Sequence, residues 1–321
     1  MWLYAALMLV VLYLLWHWRW KRETVPRLSE KFVLITGCDS GFGNLLARQL
    51  DKRGVRVLAA CLTQLGATRL QEVTSPRLQT VLLDVTSSES IASATAWVKE
   101  RVGNQGLWGL VNNAGVCMPA APNEWLTKED FLKVLNVNLL GLIDVTLNFL
   151  PLVRQAQGRV VNVASVMGRV AFFSGGYCIS KFGVEAFSDT LRREMRPFGV
   201  TVSIIEPGGF RTNFLQPAEV LKVLESIWER LPPETQAAYG HHYLEKYAKS
   251  GVLLHHLSSF CLSHVTKAMS HALLSRHPRT RYPAGWDARP VLFFSHFPSW
   301  VMDTAISFFL PTPARGTPPR S

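Results

Sequence analysis

The sequence predicts an α/β fold in which a parallel sheet is covered by helices on both faces. Short apolar runs alternate with helical segments along most of the chain, from the run FVLITG at 32–37 to the run VTVSIIEPGG at 200–209. Such alternation is typical of parallel sheets, whose crossover connections are helices. Glycines and polar residues recur where the apolar runs end, and open parallel sheets bind ligands at the carboxyl ends of their strands.

Composition limits the classes of protein to consider. The chain has 321 residues, of which 48% are hydrophobic, enough for one large domain or two small ones with a packed core. The net charge is +11, but the basic residues are scattered and do not alternate with aromatics. We therefore expect no nucleic-acid partner, and interpret the charge as a solvated surface with some attraction to membranes.

The cysteines and histidines do not form a recognisable framework. Five cysteines are odd in number and contain no C-x-x-C pair: Cys38, Cys61, Cys117, Cys178 and Cys261. The histidines concentrate late in the chain at irregular spacings, without H-E-x-x-H. Disulfide scaffolds and zinc ribbons are disfavoured, no metal site is predicted, and Cys178 is interpreted as a small apolar filler.

The N-terminus predicts a membrane anchor at residues 1–20. Residues 1–16 are apolar without interruption, and the basic residues Arg19, Lys21 and Arg22 follow them. A cleaved secretory signal carries its charge before the apolar stretch and ends in small residues, which is the opposite arrangement. The basic flank favours the cytosolic side of the membrane. The alternative interpretation is a short buried helix.

The first apolar run leads into a glycine-rich turn and then a predicted helix at 44–53. The turn reads Gly37, Cys38, Asp39, Ser40, Gly41, Phe42 and Gly43. Glycines allow a backbone to approach a pyrophosphate, and a helix N-terminus favours its negative charge. The turn therefore predicts a Rossmann-type dinucleotide site, although its G-x-x-x-G-x-G spacing differs from the commoner G-x-G-x-x-G.

Further polar residues follow the later strands. Asp84 ends the run at 78–83, a helix is predicted at 88–102, and Asn112-Asn113-Ala114-Gly115 ends the run at 107–111. A helix predicted at 128–145 carries Asn138, and Ser165 follows the strand at 159–163. All of these strand ends belong to the same edge of the predicted sheet.

Tyr177 and Lys181 are candidates for acid–base chemistry. Four residues are about one helical turn, so on a helix the phenol and the ammonium share a face. We expect the lysine charge to lower the pKa of the tyrosine, which then serves as general acid or base. A hydroxyl at Ser165 could hydrogen-bond the oxygen with which the tyrosine exchanges a proton. By itself the spacing also fits a helix with a half-buried tyrosine and an exposed lysine.

Taken together, these motifs resemble the short-chain dehydrogenase/reductase family. The features are T-G-x-x-x-G-x-G, Asp84-Val85, N-N-A-G, Asn138, Ser165, Y-x-x-x-K and P-G, in that order between 32 and about 212. More narrowly, ITGCDSGFGNLLARQL, LWGLVNNAG, GGYCISKFGVEAFSD and HPRTRYPAGWDA are similar to the microsomal retinol dehydrogenases and their 3α/17β-hydroxysteroid dehydrogenase relatives. That narrower resemblance covers almost the whole chain.

The resemblance implies a catalytic set of Asn138, Ser165, Tyr177 and Lys181. Tyr177 would be the acid/base, Lys181 would lower its pKa and hold the nicotinamide ribose, and Ser165 would orient the substrate oxygen. Asn138 would position a water that links Lys181 to solvent. The implied cofactor-binding residues are Gly37, Asp39, Ser40, Gly41, Phe42, Gly43, Asp84, Asn113, Ala114, Gly115, Tyr177, Lys181, Pro207, Gly208 and Thr212. Ala164 departs from close relatives, which more often have a second serine there.

Asp39 favours NAD over NADP as the cofactor. Family members that use NADP commonly carry a cation at this turn or just after the second strand, whereas this turn offers a carboxylate. An acid near the ribose would repel a 2′-phosphate and could accept a hydrogen bond from a free hydroxyl. Alternatively, Asp39 only shapes its own turn. The acid that usually ends the second strand is missing from Ala59-Ala60-Cys61-Leu62-Thr63.

The remaining chain suggests a lid and a membrane contact. We expect a dehydrogenase domain at 30–290 with an apolar substrate lid at about 210–255, which a plain surface subdomain would fit equally well. The apolar stretch 291–310 is interrupted by His296, Pro298 and Asp303, so it should lie on the membrane or pack on the domain rather than span. The tail from 311 to 321 is rich in proline and arginine, a composition typical of disorder.

The function predicted from the resemblance is NAD-dependent oxidation of a lipophilic alcohol, with NADH as product. The alcohol would be retinol or a 3α-hydroxysteroid, between which the sequence does not choose. The expected location is the endoplasmic reticulum (microsomal) membrane with a cytosolic catalytic domain, and a homodimer is an expectation of the family. The alternative is a catalytically silent scaffold that binds a lipid or a dinucleotide. The joint presence of all four catalytic residues favours the enzyme.

Overall fold

The computed structural model describes residues 23–172, 175–212, 217–308 and 310–314, together with Tyr4 and Met8. The predicted anchor at 1–20 therefore lies outside the described residues, apart from those two. Within the described part, the chain folds into a parallel sheet covered by helices on both faces, which confirms the predicted fold class.

The sheet has seven strands in the order β3-β2-β1-β4-β5-β6-β7, and all neighbours are parallel. The strands are β1 Phe32–Ile35, β2 Arg56–Cys61, β3 Gln79–Leu82, β4 Gly109–Asn112, β5 Arg159–Val163, β6 Thr201–Pro207 and β7 Arg281–Ala284. The chain order reverses between β1 and β4, where Ile35 pairs with Val111. This switch point is where an open α/β sheet forms a ligand crevice.

Twelve α-helices lie in the described part of the chain. They are α1 Gly41–Lys52, α2 Gln64–Gln71, α3 Ser88–Val102, α4 Lys128–Leu135, α5 Leu142–Gln155, α6 Gly175–Met195, α7 Pro217–Glu229, α8 Pro233–Tyr239, α9 His241–Leu257, α10 Ser263–Leu274, α11 Ala288–Phe294 and α12 Ser299–Ser307. One face of the sheet packs against α1 and α10, and the other against α3, α5 and α6. Helix α1 begins at Gly41, three residues before the predicted start.

The edge strand β7 is not among the predicted strands. It has four residues, RYPA, and its Pro283 cannot donate a hydrogen bond to a neighbouring strand. An edge position tolerates this loss because a strand there is paired on one side only. A strand this short that contains a proline does not form an apolar run, so the sequence pattern does not predict it.

The predicted helix at 128–145 is interrupted. A π-helical turn, Asn136–Gly141, separates α4 from α5 and carries Asn138. The combined stretch Lys128–Gln155 is long and apolar enough to cross a membrane. However, its Val145, Phe149 and Val153 are fully buried in the domain, so core packing explains at least this part of its apolar character.

Helices α7, α8 and α9 build a small core of their own in the region of the predicted lid. Trp125 is buried at its centre and packs edge-on against Trp228, Tyr239 and Tyr243. The loop that carries Trp125 leads from β4 to α4, so the lid region is attached to the main domain by aromatic packing. An ion pair between Asp130 and Arg230 adds a second attachment.

Candidate active site

The glycine turn between β1 and α1 has the shape that an anion site requires. Gly37 and Gly41 have φ angles of 69° and 63°, which L side chains rarely adopt. A Cβ on Gly37 would lie 2.8 Å from the Cα of Ala114, whereas nothing lies within 4 Å of the Cβ position of Gly41. The turn is thus packed against β4 on one side and open on the other.

The N-terminus of α1 faces this opening. Ser40 is its N-cap residue, is exposed, and makes no side-chain capping bond among the described residues. The first amide groups of a helix lack partners within the helix, and the helix dipole favours negative charge there. These features fit the pyrophosphate of a dinucleotide. Phe42 packs edge-on against Phe210 at 5.4 Å between ring centroids, which fixes the base of the turn.

Thr36 connects the ends of β1 and β4, a role that the sequence analysis did not identify. Its buried hydroxyl accepts hydrogen bonds from the amides of Asn113 and Ala114, both at 3.0 Å. The Asn113 side chain in turn donates to the Thr36 and Gly37 carbonyls at 2.9 and 3.2 Å. The only sequence signal for this role is the T of the T-G motif, which belongs to the apolar run 32–37.

Asp39 reaches the end of β2 from the neighbouring turn. Its carboxylate accepts hydrogen bonds from the Leu62 amide at 2.8 Å, the Thr63 amide at 3.0 Å and the Thr63 hydroxyl at 2.6 Å. The structural role of Asp39 therefore extends beyond its own turn to the chain after β2. Asp39 supplies a carboxylate at the position where the sequence of β2 lacks one.

Asp84 occupies a similar position after β3. Its Oδ1 accepts from the amide and the hydroxyl of Thr86 at 2.9 and 2.7 Å. Asp84 and Asp39 are both half-buried, Asp84 held by the nearby Thr86 and Asp39 by Leu62 and Thr63 from the chain after β2. Asp84 follows β3, and the Asp39 carboxylate lies at the end of the neighbouring β2, where the resemblance places the adenosine of the cofactor.

Asn138 is fully buried in the π-helical turn, and its amide is fixed on both sides. Its Oδ1 accepts from the Val116 amide at 2.8 Å, and its Nδ2 donates to the Val116 carbonyl at 2.8 Å and to the Ser180 hydroxyl at 3.0 Å. A Cβ on Gly115 would lie 3.3 Å from Asn138 Oδ1 and 3.9 Å from Lys181 Nζ. Asn138, Gly115 and Lys181 therefore surround the same small space.

Ser165, Tyr177 and Lys181 are brought together beside the end of β5. The Ser165 hydroxyl hydrogen-bonds the Tyr177 phenol and lies 3.4 Å from the Pro207 carbonyl. Lys181 donates from Nζ to the Val163 carbonyl at 2.8 Å, and this nitrogen lies 5.6 Å from the centroid of the Tyr177 ring. Tyr177 and Lys181 are on α6, one turn apart, as the sequence predicts.

Burial controls the protonation of this group. It lowers the pKa of Lys181 to about 8, against the opposing effect of the charges of Glu185 and Cys117. It also raises the pKa of Tyr177 above its ordinary value, while the hydrogen bond with Ser165 acts in the other direction. The expectation that Lys181 lowers the pKa of Tyr177 is therefore wrong for this structure. Desolvation is the largest cause of the raised Tyr177 pKa, and the Lys181 ammonium donates to the Val163 carbonyl.

Two cysteines near this group are poor nucleophiles. Burial raises the pKa of Cys117 to about 12 and also raises the pKa of Cys178. A thiol must ionise to react, so neither supports nucleophilic catalysis. The description of Cys178 as a buried filler agrees with its position.

The chain after β6 completes the edge of the crevice. The Gly208 amide donates to the Ala284 carbonyl at 2.9 Å, and the Gly209 amide donates to Asp287 at 2.7 Å. Asp287 is a further residue that the sequence analysis missed. Pro207 ends β6, and Thr212 follows as a half-buried residue in a bend.

A doubly wound sheet with a glycine turn at its switch point and a Ser–Tyr–Lys group beside it defines a class of dinucleotide-dependent oxidoreductases. Residues 31–220 match the family described as short chain dehydrogenase. The chain belongs to the short-chain dehydrogenase family, as the sequence motifs predict.

Relatives of known name match nearly the full length of the chain. Human retinol dehydrogenase 16 is 57% identical over 316 residues, which cover 98% of this chain and 99% of that protein. Human 17-beta-hydroxysteroid dehydrogenase type 6 is 54% identical over 321 residues, with the same coverage of 98% and 99%. Both belong to the narrower group that the sequence resembles.

Solved structures share the fold. A short-chain dehydrogenase from Streptomyces avermitilis superposes with a TM-score of 0.65 at 26% identity, covering 87% of this chain and 94% of that one. A Burkholderia phymatum short chain dehydrogenase/reductase, solved in complex with NAD, gives a TM-score of 0.68 at 20% identity, covering 91% and 98%. At this identity the second comparison supports the fold alone.

Proposed function

We propose that the protein oxidises a lipophilic alcohol, retinol or a 3α-hydroxysteroid, with NAD as the hydride acceptor. The observation that carries the proposal is the contact of Ser165 with Tyr177, one turn from the buried Lys181, at the edge where the glycine turn opens. The names of the relatives, retinol dehydrogenase 16 and 17-beta-hydroxysteroid dehydrogenase type 6, support this class of substrate.

In the proposed reaction, Tyr177 must first give up its own proton, and the resulting phenolate removes the hydroxyl proton of the alcohol as hydride leaves the carbinol carbon. Ser165 holds the substrate oxygen by a hydrogen bond, since its hydroxyl already contacts the phenol. NAD, when bound, supplies the acceptor for the hydride. Lys181 has a pKa of about 8 and can exchange a proton near neutral pH. Asn138 lies beside it, where the resemblance implies a water link to solvent.

The residues of the dinucleotide end fit NAD. The open side of Gly41 and the N-terminus of α1 would hold the pyrophosphate, and Asp84 would face the adenine. Asp39 would accept a hydrogen bond from a ribose hydroxyl and repel a 2′-phosphate. Its carboxylate also accepts three hydrogen bonds from Leu62 and Thr63, so its position is fixed.

A membrane location is supported by an aromatic surface at the C-terminus. Helices α11 and α12 have seven and nine residues, too short to span a bilayer. They expose large apolar side chains, namely Phe293, Phe294, Phe297, Trp300 and Phe308. Such a surface suits the membrane interface. We propose that it lies on the endoplasmic reticulum membrane, beside an anchor at 1–20, with the catalytic domain in the cytosol.

Removal of residues 1–20 tests the membrane proposal. The truncated protein should be released in large part from microsomes and retain NADH binding. Full retention on the membrane would assign the dominant contact to the aromatic surface. Protection of the catalytic domain from protease in sealed microsomes would contradict the cytosolic orientation.

A homodimer is proposed from the outer face of α4, α5 and α6 and the turn between them. This face exposes apolar side chains that a second copy would cover: Leu132, Leu140, Leu147, Ile179 and Phe182. Exposed apolar patches of this kind mark protein interfaces. Sedimentation of the detergent-solubilised protein and of Phe182→Glu tests the proposal, because the variant should shift toward the monomer.

Turnover assays separate the enzyme from a silent scaffold. NADH formation is measured with purified protein and a panel of lipophilic alcohols that includes all-trans-retinol and androstanediol. The ratio of kcat/KM for these two alcohols assigns the substrate class. Clear NADH binding without turnover of any alcohol would overturn the proposal and favour the scaffold.

A further inference from the structure

Helix α6 continues the line of candidate catalytic residues into a buried group of charges. Tyr177, Lys181, Glu185 and Asp189 follow one another at intervals of four residues, so each side chain lies about one turn from the next. Glu185 is only 6% exposed. Carboxylates are rarely buried to this extent unless they are paired.

The partner of Glu185 is Arg281, from the edge strand β7. The Arg281 guanidinium contacts Glu185, lies 3.0 Å from Glu206 Oε1 and lies 2.8 Å from Asp189 Oδ2. Arg169 reaches the same Glu206 oxygen at 3.5 Å. We refer to Arg169, Glu185, Glu206 and Arg281 as the charge cluster.

The charge cluster joins the three segments that carry the candidate site. Arg169 closes the turn that begins at Ser165. Glu206 precedes Pro207, whose carbonyl lies against the Ser165 hydroxyl. The same turn packs on α6 between the two charges, since a Cβ on Gly168 would lie 2.8 Å from the Lys181 carbonyl and 2.9 Å from Glu185 Cγ.

The charges of Glu185 and Lys181 interact across one helical turn. The carboxylate of Glu185 favours the ammonium form of Lys181 and so raises the lysine pKa, which burial alone would lower further. Burial and the charge of Glu206 raise the pKa of Glu185 to about 7, while Arg281 and Arg169 act in the other direction. The negative charge of Glu185 therefore develops as the pH rises through about 7, just below the pKa of Lys181.

We propose that Glu185 is a positioning residue of the candidate site: its buried carboxylate, held by Arg281, stands one helical turn from Lys181 and stabilises the charge of the lysine. The inference rests on the proposed function where it is tested by the pH profile of kcat/KM. Its test by NADH binding does not depend on that function. Among the described residues, the charged groups around Glu185 are Lys181 and Asp189 on α6, Glu206 on β6, Arg281 on β7 and Arg169 after β5, and the Cys117 thiol also acts on Lys181. Asp189 pairs with Arg192 at 3.0 Å as well as with Arg281, so its charge is shared between two arginines.

The test compares Glu185→Gln with the matched control Asp189→Asn. Both remove a carboxylate that pairs with Arg281, but Asp189 is half-buried and lies two turns from Lys181 rather than one. In Glu185→Gln the alkaline limb of the kcat/KM profile should move down by about 0.5 to 1 pH unit. The reason is that the variant lacks the carboxylate charge one helical turn from Lys181, which favours the ammonium form of the lysine. In Asp189→Asn the limb should stay within about 0.2 of a unit of the wild type. Glu185→Asp keeps the carboxylate on a side chain that is one methylene shorter, so its alkaline limb should move by an intermediate amount.

A second measurement separates this inference from the proposed function. NADH binding is followed at each pH by energy transfer from tryptophan, which needs no turnover and also reports whether each variant is folded. The loss of affinity at high pH should move down in Glu185→Gln by the same amount as the kinetic limb. If no alcohol is oxidised but the binding curve moves, the proposed function fails and the inference stands. If neither curve moves, Glu185 has only a structural role and the inference is wrong.

Discussion

The two ends of the candidate cofactor crevice use acidic and basic side chains in different ways. At the dinucleotide end, Asp39 and Asp84 are half-buried and bound by backbone amides and threonine hydroxyls. At the reaction end, Lys181 and Glu185 are buried, and burial brings their pKa values to about 8 and about 7. At the dinucleotide end, the hydrogen bonds fix the shape of the turns. At the reaction end, burial lets Lys181 and Glu185 change protonation near neutral pH, but it lowers the stability of the folded protein. Substitutions at the reaction end and at the dinucleotide end should therefore have different effects.

The largest effect is expected for Tyr177→Phe at the reaction end. The variant keeps the ring but loses the oxygen that exchanges the proton, and positioned acid–base groups contribute about 10² to 10⁴ in rate. We expect kcat to fall by about 10³-fold or more, with NADH affinity nearly unchanged. Steady-state kinetics and a fluorescence titration check both parts. A rate near that of the wild type would show that another group is the acid/base.

Lys181→Met should lower kcat by about 10²-fold and weaken NADH binding, yet raise thermal stability. The folded-state pKa of Lys181 is about 8, below the ordinary 10.5. The buried ammonium therefore destabilises the folded protein fully below about pH 8, and this penalty disappears as the pH rises toward 10.5. Removing the buried ammonium should stabilise the protein, and losing the hydrogen bond to the Val163 carbonyl should destabilise it by less. The net result should be a rise in Tm of about 3 °C at pH 7. The gain should shrink at pH 9.5, and a lower Tm at pH 7 would contradict the assignment of burial as the cause.

Thr36→Val tests the connection between β1 and β4 at the dinucleotide end. The variant leaves the Asn113 and Ala114 amides without their shared acceptor, which should cost about 2 kcal/mol of stability. We expect KM for NAD to rise by about tenfold through a shift of this loop, with kcat changed far less. Thr36→Ser keeps the hydroxyl and serves as the control. Equal losses in both variants would show that the Thr36 hydroxyl does not account for the effect.

The smallest effect is expected for Asp39→Lys. A lysine at this position would attract a 2′-phosphate, so the ratio of kcat/KM for NADP to that for NAD should rise, by roughly severalfold to tenfold. The gain is limited because the three hydrogen bonds to Leu62 and Thr63 are lost. Asp39→Asn removes the charge alone and should give a smaller rise. An unchanged ratio in both would mean that Asp39 does not select the cofactor.

The fold and the line of candidate residues follow from local sequence, because apolar runs and their terminal polar residues are local signals. The charge cluster does not, since Arg281 stands 96 residues from Glu185 and 75 from Glu206. The strand that carries Arg281, β7, has only four residues including a proline, so apolar runs in the sequence do not predict it. The position of Asp39 depends similarly on partners 23 and 24 residues away. The sign of the Tyr177 pKa shift was missed because spacing gives the neighbour of a group but not its degree of burial.

The late position of Arg281 has a consequence for biosynthesis. Glu185 and Glu206 leave the ribosome well before the residue that pairs with both of them, and domains generally fold from the N-terminus during synthesis. Breaking such a buried pair costs about 3 to 5 kcal/mol, so α6 should not settle against β6 until β7 has been made. A chain that stops before Arg281 should retain the glycine turn and its strands but leave α6 accessible to proteases. The packing of α6 against the site therefore depends on translation having reached the four residues of β7.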